Sequence, residues 1–204
     1  PRSTLFPYTT LFRSLFIFTV PETLRPFIRS HQRLAYQALF HASSRALKRL
    51  ATDERFIGTD LPGFTGVLHT WGRQLQYHPH IHYIVPGGGL SADRAAWVPS
   101  RANFFVPVKA LSPIYRAIFQ EDMRHAGLLE QIDPQVWTIP WNVHSQADHH
   151  GHSAFTYLAP YVFKVAISNR RIISLTDRTV TFTYRKVGSA RPRMTHIDAI
   201  EFNE

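Results

Sequence analysis

The chain has 204 residues, of which 44% are hydrophobic and 13% aromatic, and it contains no cysteine. This length suits one domain, and the composition supports a folded core, which excludes a globally disordered chain. The missing cysteines exclude a disulfide scaffold, an iron–sulfur cluster and cysteine-based zinc modules. A formal charge of +9 favours a polyanionic partner, with nucleic acid first, over a protein that is basic for no binding reason.

The first 14 residues have neither helical nor alternating periodicity. Within them, Leu5–Ser14 (LFPYTTLFRS) resembles the conceptual translation of a sequencing-adapter oligonucleotide. We therefore expect residues 1–14 to be an artefactual tail outside the fold, and we expect the domain to begin at residue 15. Without the two arginines of this tail the formal charge falls from +9 to +7, so the basic character remains.

Hydrophobic periodicity then predicts elements in the order strand, helix, several strands, helix, strand, helix and two strands. The predicted strands are Leu15–Val20, Val67–Trp71, His80–Val85, Trp97–Val98, Phe104–Val106, Val136–Val143, Arg171–Leu175 and Val180–Tyr184. The predicted helices run from Glu22 to about Thr52, over Leu111–Ala126 and over Phe155–Ser168. Because hairpins outnumber parallel crossovers, we expect an α+β fold with a central antiparallel sheet flanked by helices.

The string His80-Ile81-His82 is the most specific local pattern. Residues i and i+2 of a strand point to the same face, so His80 and His82 can share one divalent ion while Ile81 faces the opposite layer. A bare pair of this kind occurs often by chance as two surface histidines, and that reading stays open. A second cluster, His149, His150 and His152, lies in a polar loop pattern and is interpreted as solvated.

A third metal ligand is expected, because two histidines hold an ion weakly. His69 lies eleven residues before His80, and a turn over Gly72–Tyr77 would place it beside the pair. We rank His69 first, His78 second and Gln76 third.

Two tyrosines and a lysine form the second constellation. Tyr157 and Tyr161 share one face of a helix at a spacing of four, and Lys164 follows one turn later. A phenol is a poor nucleophile at its ordinary pKa of about 10, but a metal-polarised phosphodiester and a nearby lysine make its attack plausible. Aromatic packing is the alternative, and Pro160 interrupts the helix.

These strings resemble the transposases of rolling-circle insertion sequences, the two-tyrosine HUH class (the IS ninety-one family). The resemblance rests on FIFTVPETLRP, LHTWGRQLQYHPHIHYIVPGGGLS, NFFVPVKALS, YLAPYVFKVAISNRRI and VTFTYRKV, within residues 15–204. It implies an HUH-endonuclease fold with the histidine pair on a central strand, a Mg²⁺ or Mn²⁺ ion, and a cytoplasmic, bacterial, nucleoid-associated protein.

The resemblance also implies the chemistry. Tyr157 or Tyr161 attacks single-stranded DNA at transposon ends or target, leaving a 5′-phosphotyrosine and a free 3′-OH, and the second tyrosine serves the next strand transfer. The family carries a cysteine-rich segment before this domain, which is absent here, and it continues beyond the last residues of this sequence, so we expect the domain to be incomplete at both ends. A catalytically inert single-stranded DNA-binding remnant and a histidine-metal hydrolase without a covalent tyrosine are the competing hypotheses.

Basic residues provide candidate DNA contacts. Arg73 lies near the histidine hairpin, and Arg170, Arg171 and Lys186 lie in the basic C-terminal third. Their charges would neutralise phosphates and make binding salt-dependent, with solvated surface charge as the alternative.

Overall fold

The structure, a computed structural model, describes residues 12–72, 74–101, 105–147, 167–186 and 188–203. Its central sheet has four antiparallel strands, β1 (Phe12–Thr19), β3 (Thr65–Trp71), β4 (Tyr77–Pro86) and β7 (Val143–Ala147). Their order across the sheet is β3-β4-β1-β7. The predicted α+β class with a central antiparallel sheet is confirmed, and β4 is one of the two inner strands.

Helices cover one face of this sheet. They are α1 (Arg25–Ser30), α2 (Gln32–Ala51) and α3 (Val108–His125). Small residues such as Ala42 and Ala46 let α2 approach the sheet closely, and α3 packs beside it. The core between these layers contains Phe18, Tyr83 and Tyr115, whose rings meet edge to face, an arrangement that aromatic pairs prefer.

Two further antiparallel sheets complete the described strands. One consists of β2 (Leu61–Pro62), β5 (Gly88–Leu90) and β6 (Trp97–Pro99). The other consists of β8 (Ile172–Leu175), β9 (Thr179–Arg185) and β10 (Pro192–Asp198), followed by α4 (Ala199–Asn203). Leu75, in the β3–β4 turn, packs against the small core of this C-terminal sheet.

Some predicted elements are wrong. The segment Val136–Val143 is not a strand: Pro134–Trp137 forms a 3-10 helix, and β7 starts at Val143. Val136 and Trp141 of this segment are buried, and Trp141 folds back and donates its indole N–H to the carbonyl oxygen of Val136 at 3.2 Å. Its hydrophobicity therefore reflects a buried loop, which periodicity cannot distinguish from a strand.

The predicted long helix beginning at Glu22 is divided. A 3-10 turn over Glu22–Leu24 leads into α1, and the chain breaks at His31 before α2. Ser30 donates its hydroxyl to the carbonyl oxygen of Pro26, and the ring of His31 donates to that of Phe27. Side-chain bonds to carbonyls one turn back compete with the helical ladder and bend helices.

Other boundaries also differ. The strand predicted at Leu15 begins at Phe12, so β1 includes the last three residues of the adapter-like tail. Phe105 and Val106 are buried without being in a strand. The helix predicted over Phe155–Ser168 lies outside the described residues except for Ile167 and Ser168, which are not helical.

Among the described residues, no helix is long and apolar enough to cross a membrane.

Candidate metal centre

Three histidines come together on the face of the central sheet opposite the helices. His69 lies on β3 directly across from His80 on β4, and His82 follows two residues later on β4. The ring centroids are 5.1 Å apart for His69–His80, 4.4 Å for His69–His82 and 4.8 Å for His80–His82. One ligand nitrogen from each ring lies within 4.8 Å of the others. The structure thus places His69, on the neighbouring strand, beside the predicted pair of His80 and His82.

The β3–β4 hairpin explains the eleven-residue spacing. Gly72 donates its N–H to the carbonyl oxygen of Gln76 at 2.8 Å, closing a short turn that returns the chain antiparallel. The side-chain oxygen of Gln76 accepts the N–H of Gln74 at 3.0 Å, so this residue serves the turn. A Cβ on Gly72 would lie 2.4 Å from the Gln76 amide, which is the far end of an exposed side chain and can move aside. Gln76, the third-ranked ligand, is not among the three histidines that meet.

His78, the second-ranked ligand, lies next to the triad on the same strand face. Its ring centroid is 4.9 Å from that of His80. Its carbonyl oxygen accepts a hydrogen bond from the Nδ1–H of His80 at 2.6 Å. This bond fixes the tautomer of His80 and leaves its Nε2 lone pair available to an ion, as a backbone carbonyl does for many metal-ligating histidines.

Burial keeps the triad neutral. His69 and His82 are 2% and 3% exposed, and His80 is partly exposed. Burial, aided by the charge of neighbouring His80, lowers the pKa of His69 to about 4 and that of His82 to about 3. Burial also lowers the pKa of His80. Neutral imidazoles carry the lone pairs that a metal needs, so these ligands need no deprotonation near neutral pH.

The opposite face of β4 anchors this strand in the core. Tyr83 is buried and shares a hydrogen bond of 2.9 Å with the hydroxyl of Ser43 on α2. Gly66 on β3 lies beneath the Tyr83 ring, where a Cβ would come within 2.5 Å of it. The aromatic ring, the helix and the glycine together set the register that brings His69 opposite His80.

Two residues without a predicted metal role border the triad. The indole of Trp71 is stacked on the His69 ring, at 5.9 Å between centroids and 13° between planes. The positive charge of Arg25, at the start of α1, helps to lower the pKa values of His78 and His80. Sequence reasoning missed Arg25 because it lies more than forty residues before the histidines, although it belongs to one of the strings that carried the resemblance.

The remaining predicted site residues fall into two groups. Tyr157, Tyr161, Lys164, Arg73 and the cluster His149, His150 and His152 lie outside the described residues. Arg170 and Lys186 are exposed, whereas Arg171 is partly buried and donates its Nε–H to the carbonyl oxygen of Thr183 at 2.8 Å. Its guanidinium also lies 6.0 Å from the centre of the Phe182 ring. Arg171 thus helps to join β9 to the segment before β8.

The donor set fits a divalent transition-metal ion. Ligand nitrogens about 2.1 Å from an ion lie about 3.0–3.4 Å from each other, so the triad closes on one with small ring movements. Imidazole nitrogens suit transition ions better than Mg²⁺, which prefers oxygen. No carboxylate of the described residues is among the groups that shift the histidine pKa values. An ion held here would keep its full charge and attract an anion.

Comparison with known proteins defines the class. The family model Y2_Tnp, described as "Putative transposase", matches residues 63–204, which include the triad and most of the described sheets. The chain belongs to this family.

Two curated relatives are transposases by name. "Putative transposase y4qJ" of Sinorhizobium fredii is 33% identical over 188 residues, covering 83% of this chain and 47% of that protein. "Transposase for insertion sequence element IS801" of Pseudomonas savastanoi pv. phaseolicola is 29% identical over 192 residues, covering 82% of this chain and 43% of that protein. The chain thus spans less than half the length of these relatives.

A solved structure, the metal-bound conjugative relaxase TrwC in complex with OriT DNA, is similar to 56% of this chain, with 14% identity and a TM-score of 0.41. The matched region covers 44% of the relaxase chain. A score of this size does not establish a shared fold.

Proposed function

We propose that this chain is the DNA-nicking domain of a rolling-circle transposase of the two-tyrosine HUH class. It cuts single-stranded DNA and transfers the strand through a covalent tyrosine intermediate. The single observation that carries this proposal is the meeting of three neutral imidazoles on an inner strand of the sheet, in a chain of a transposase family.

His69, His80 and His82 would hold the ion. When bound, a divalent ion supplies Lewis-acid polarisation of a phosphate oxygen. Of the two ions considered, Mn²⁺ suits three nitrogen ligands better than Mg²⁺ does. The bond from His80 to the carbonyl of His78 orients one ligand ring, and burial keeps water away from the other two.

Tyr157 and Tyr161 are the proposed nucleophiles. The phenol oxygen of one tyrosine forms a bond to phosphorus, and the bond from phosphorus to the 3′-oxygen breaks. The phenolic proton leaves to water, and the departing oxygen gains a proton as a free 3′-OH. The positive charge of Lys164 stabilises the phenolate that attacks. The second tyrosine would then accept the next strand.

Exposed basic residues would hold the DNA strand. Arg170 and Lys186 lie at the surface of the C-terminal sheet region, and we propose that they contact phosphates together with Arg73. Arg171 is already bonded to Thr183, so we assign it a supporting role as well as a phosphate contact. Trp71 is partly exposed beside His69, where an unpaired base can stack on it.

A covalent-adduct assay tests this function. The chain is incubated with a randomised pool of single-stranded oligonucleotides and Mn²⁺, with either the 3′ or the 5′ end labelled. A 5′-phosphotyrosine link transfers only the 3′-end label to the protein, because the 5′ fragment leaves with a free 3′-OH. The label should be absent from the Tyr157→Phe/Tyr161→Phe double variant and from His80→Ala. His144→Ala, which removes an exposed histidine of the same sheet, is the matched control.

Each other outcome favours a stated alternative. Cleavage that persists in the double tyrosine variant supports a hydrolase that uses water. Binding of the pool without cleavage supports the inert DNA-binding remnant. Transfer of the 5′-end label would reverse the proposed polarity.

A further inference from the structure

The C-terminal sheet ends in an edge strand without a charged residue or a proline. The order of this sheet is β10-β9-β8, so among the described residues β8 has a neighbouring strand on one side only. The strand reads Ile-Ile-Ser-Leu over Ile172–Leu175. Charges and proline commonly protect an edge strand from pairing with another chain, and the opposite edge, β10, contains Pro192, Arg193 and Asp198. The edge of β8 is therefore open to a further strand.

Leu175 is an apolar side chain of this edge that the rest of the chain leaves uncovered. It is 71% exposed, although it lies opposite Val180, a buried residue of the small core of the sheet. Partners across antiparallel strands share a face, so Leu175 extends the apolar face formed by Val180 and Phe182. Ile172 lies opposite Phe182 on the same face and is partly buried. A strand added at this edge would cover Leu175.

The hydrogen bonds of the β8–β9 hairpin indicate which backbone groups face the open edge. Thr176 donates its N–H to the carbonyl oxygen of Thr179 at 2.9 Å, so the backbone of Thr176 faces β9. Because successive residues point these groups to opposite sides, the N–H and C=O of Leu175 face the edge. The partners of Ile172 and Leu175 on β9 are two residues apart, so the bulge between Ile172 and Ser174 gives Ile172 the same outward orientation.

The two ends of β8 are complementary to each other in charge. Two copies of β8 can pair antiparallel, with Ile172 of each copy opposite Leu175 of the other. This register also places Arg170 opposite Asp177 of the second copy, and both side chains are exposed. Opposite charges that face each other across a strand pair are stabilising, and two-fold symmetry forms each contact twice. The hydrogen-bonding groups, the apolar side chains and the charges thus fit one and the same register.

We propose that β8 binds β8 of a second copy of this chain, which forms a two-fold dimer and joins the two three-stranded sheets into one. Backbone hydrogen bonds, burial of Leu175 against Ile172 of the second copy, and the Arg170–Asp177 ion pairs stabilise this dimer. A guanidinium has several N–H donors, so Arg170 keeps donors for the phosphate contact proposed above. The dimer requires neither metal nor DNA, so it does not depend on the proposed function.

Sedimentation velocity of the full 204-residue chain, without metal or DNA, tests the dimer. Pairing of such short strands buries less surface than a standard interface of about 1,600 Å², so we expect a reversible dimer with a Kd of roughly 1–100 μM. Over a protein concentration range of about 1–200 μM, which brackets this constant, the mean mass should rise from that of the monomer towards twice that value.

Leu175→Lys is the first variant. It places a charge where the leucine would be covered, so we expect a monomer over the whole concentration range. The side chain is largely exposed in the single chain, so the fold should persist, and circular dichroism checks this. Met194→Lys is the matched control, because it changes a side chain that is 68% exposed on the opposite edge strand. It should form dimers like the parent.

A charge exchange tests the register. Asp177→Arg places like charges opposite each other at both ends of the strand pair, and we expect the Kd to rise by about tenfold or more. Adding Arg170→Asp to the same chain restores opposite charges with the positions exchanged, and it should return the Kd close to that of the parent. A purely structural role of Asp177 within one chain would not give this rescue.

Several results overturn the inference. A parent that stays monomeric over the whole range would leave the edge to solvent or to a different partner. A dimer that persists in Leu175→Lys, or that is lost equally in Met194→Lys, would place the association on another surface. Failure of the charge exchange to restore the dimer would exclude the register that pairs Arg170 with Asp177. Species larger than the dimer would indicate open-ended association rather than a two-fold pair.

Discussion

His69 and His80 face each other directly across β3 and β4, with their rings nearly perpendicular at 88° and 5.1 Å apart. They are neighbours because the turn at Gly72–Gln76 sets the hairpin register. A shift of one residue would point His69 to the helix side of the sheet, since side chains alternate. The candidate metal centre therefore depends on register as much as on the identity of its residues.

Removing one ligand should weaken metal binding. His69→Ala leaves two imidazoles, which hold an ion poorly, so we expect Mn²⁺ affinity to fall by about tenfold or more. Isothermal titration calorimetry with Mn²⁺ measures the effect. His144→Ala should bind Mn²⁺ like the parent, and an unchanged affinity in His69→Ala would exclude this histidine from the ligand set.

The stability of the metal-free protein should depend on pH. The ordinary histidine pKa is about 6.5, and burial lowers the pKa of His69 to about 4 and that of His82 to about 3. Between these values the unfolded chain binds protons that the folded chain does not. The stabilising contribution is therefore complete above pH 6.5 and is lost as the pH falls through 6.5 towards about 3–4, by up to about 1.4 kcal/mol per pH unit for each group.

Urea denaturation at a series of pH values checks this direction. The free energy of unfolding of His82→Gln should change less steeply with pH than that of the parent protein, whatever the absolute stability of the variant. His196→Gln, which removes an exposed histidine of β10 outside the triad, is the control. An equal pH dependence of stability in all three proteins would mean that His82 takes up protons equally in the folded and unfolded states.

Tyr115 should tolerate loss of its hydroxyl. Its side chain is fully buried, and the oxygen has no hydrogen-bond partner among the described residues. Tyr115→Phe removes this unsatisfied group while keeping the ring contacts with Phe18 and Trp141, so we expect a gain of about 1 kcal/mol in the free energy of unfolding. Urea denaturation measures it.

Tyr83→Phe provides the contrast. The hydroxyl of Tyr83 is bonded to Ser43, so its removal should lower stability by about 1 kcal/mol. A loss of stability in Tyr115→Phe similar to that in Tyr83→Phe would show that Tyr115 has a bonding partner.

The close approach of Gly66 to Tyr83 should make any larger residue costly. Gly66→Ala places a methyl group 2.5 Å from the ring, and we expect a loss of about 1–3 kcal/mol as the ring or β3 moves. Because β3 also carries His69, Mn²⁺ affinity should fall too. Gly63→Ala has nothing within 4 Å and is the control, with a change close to zero. Thermal denaturation and calorimetry compare the two variants.

Much of the inner sheet followed from local pattern. The alternation around Ile81 and Tyr83 predicted a strand with His80 and His82 on one face, because backbone geometry alone imposes that alternation. The segment Val136–Val143 was wrongly predicted to be a strand, because an apolar loop and a buried strand have similar sequences. The strand β10 was missed because its apolar residues are few and Met194 is 68% exposed.

The sequence by itself determined the class of fold, the paired histidines and the basic charge, since these depend on residue type and short-range periodicity. Only the tertiary structure decided that His69 completes the triad rather than Gln76, because that choice depends on the register of a hairpin. Only the tertiary structure brought α1 against β4, because contacts between segments so far apart in the sequence are set by how helix and sheet pack.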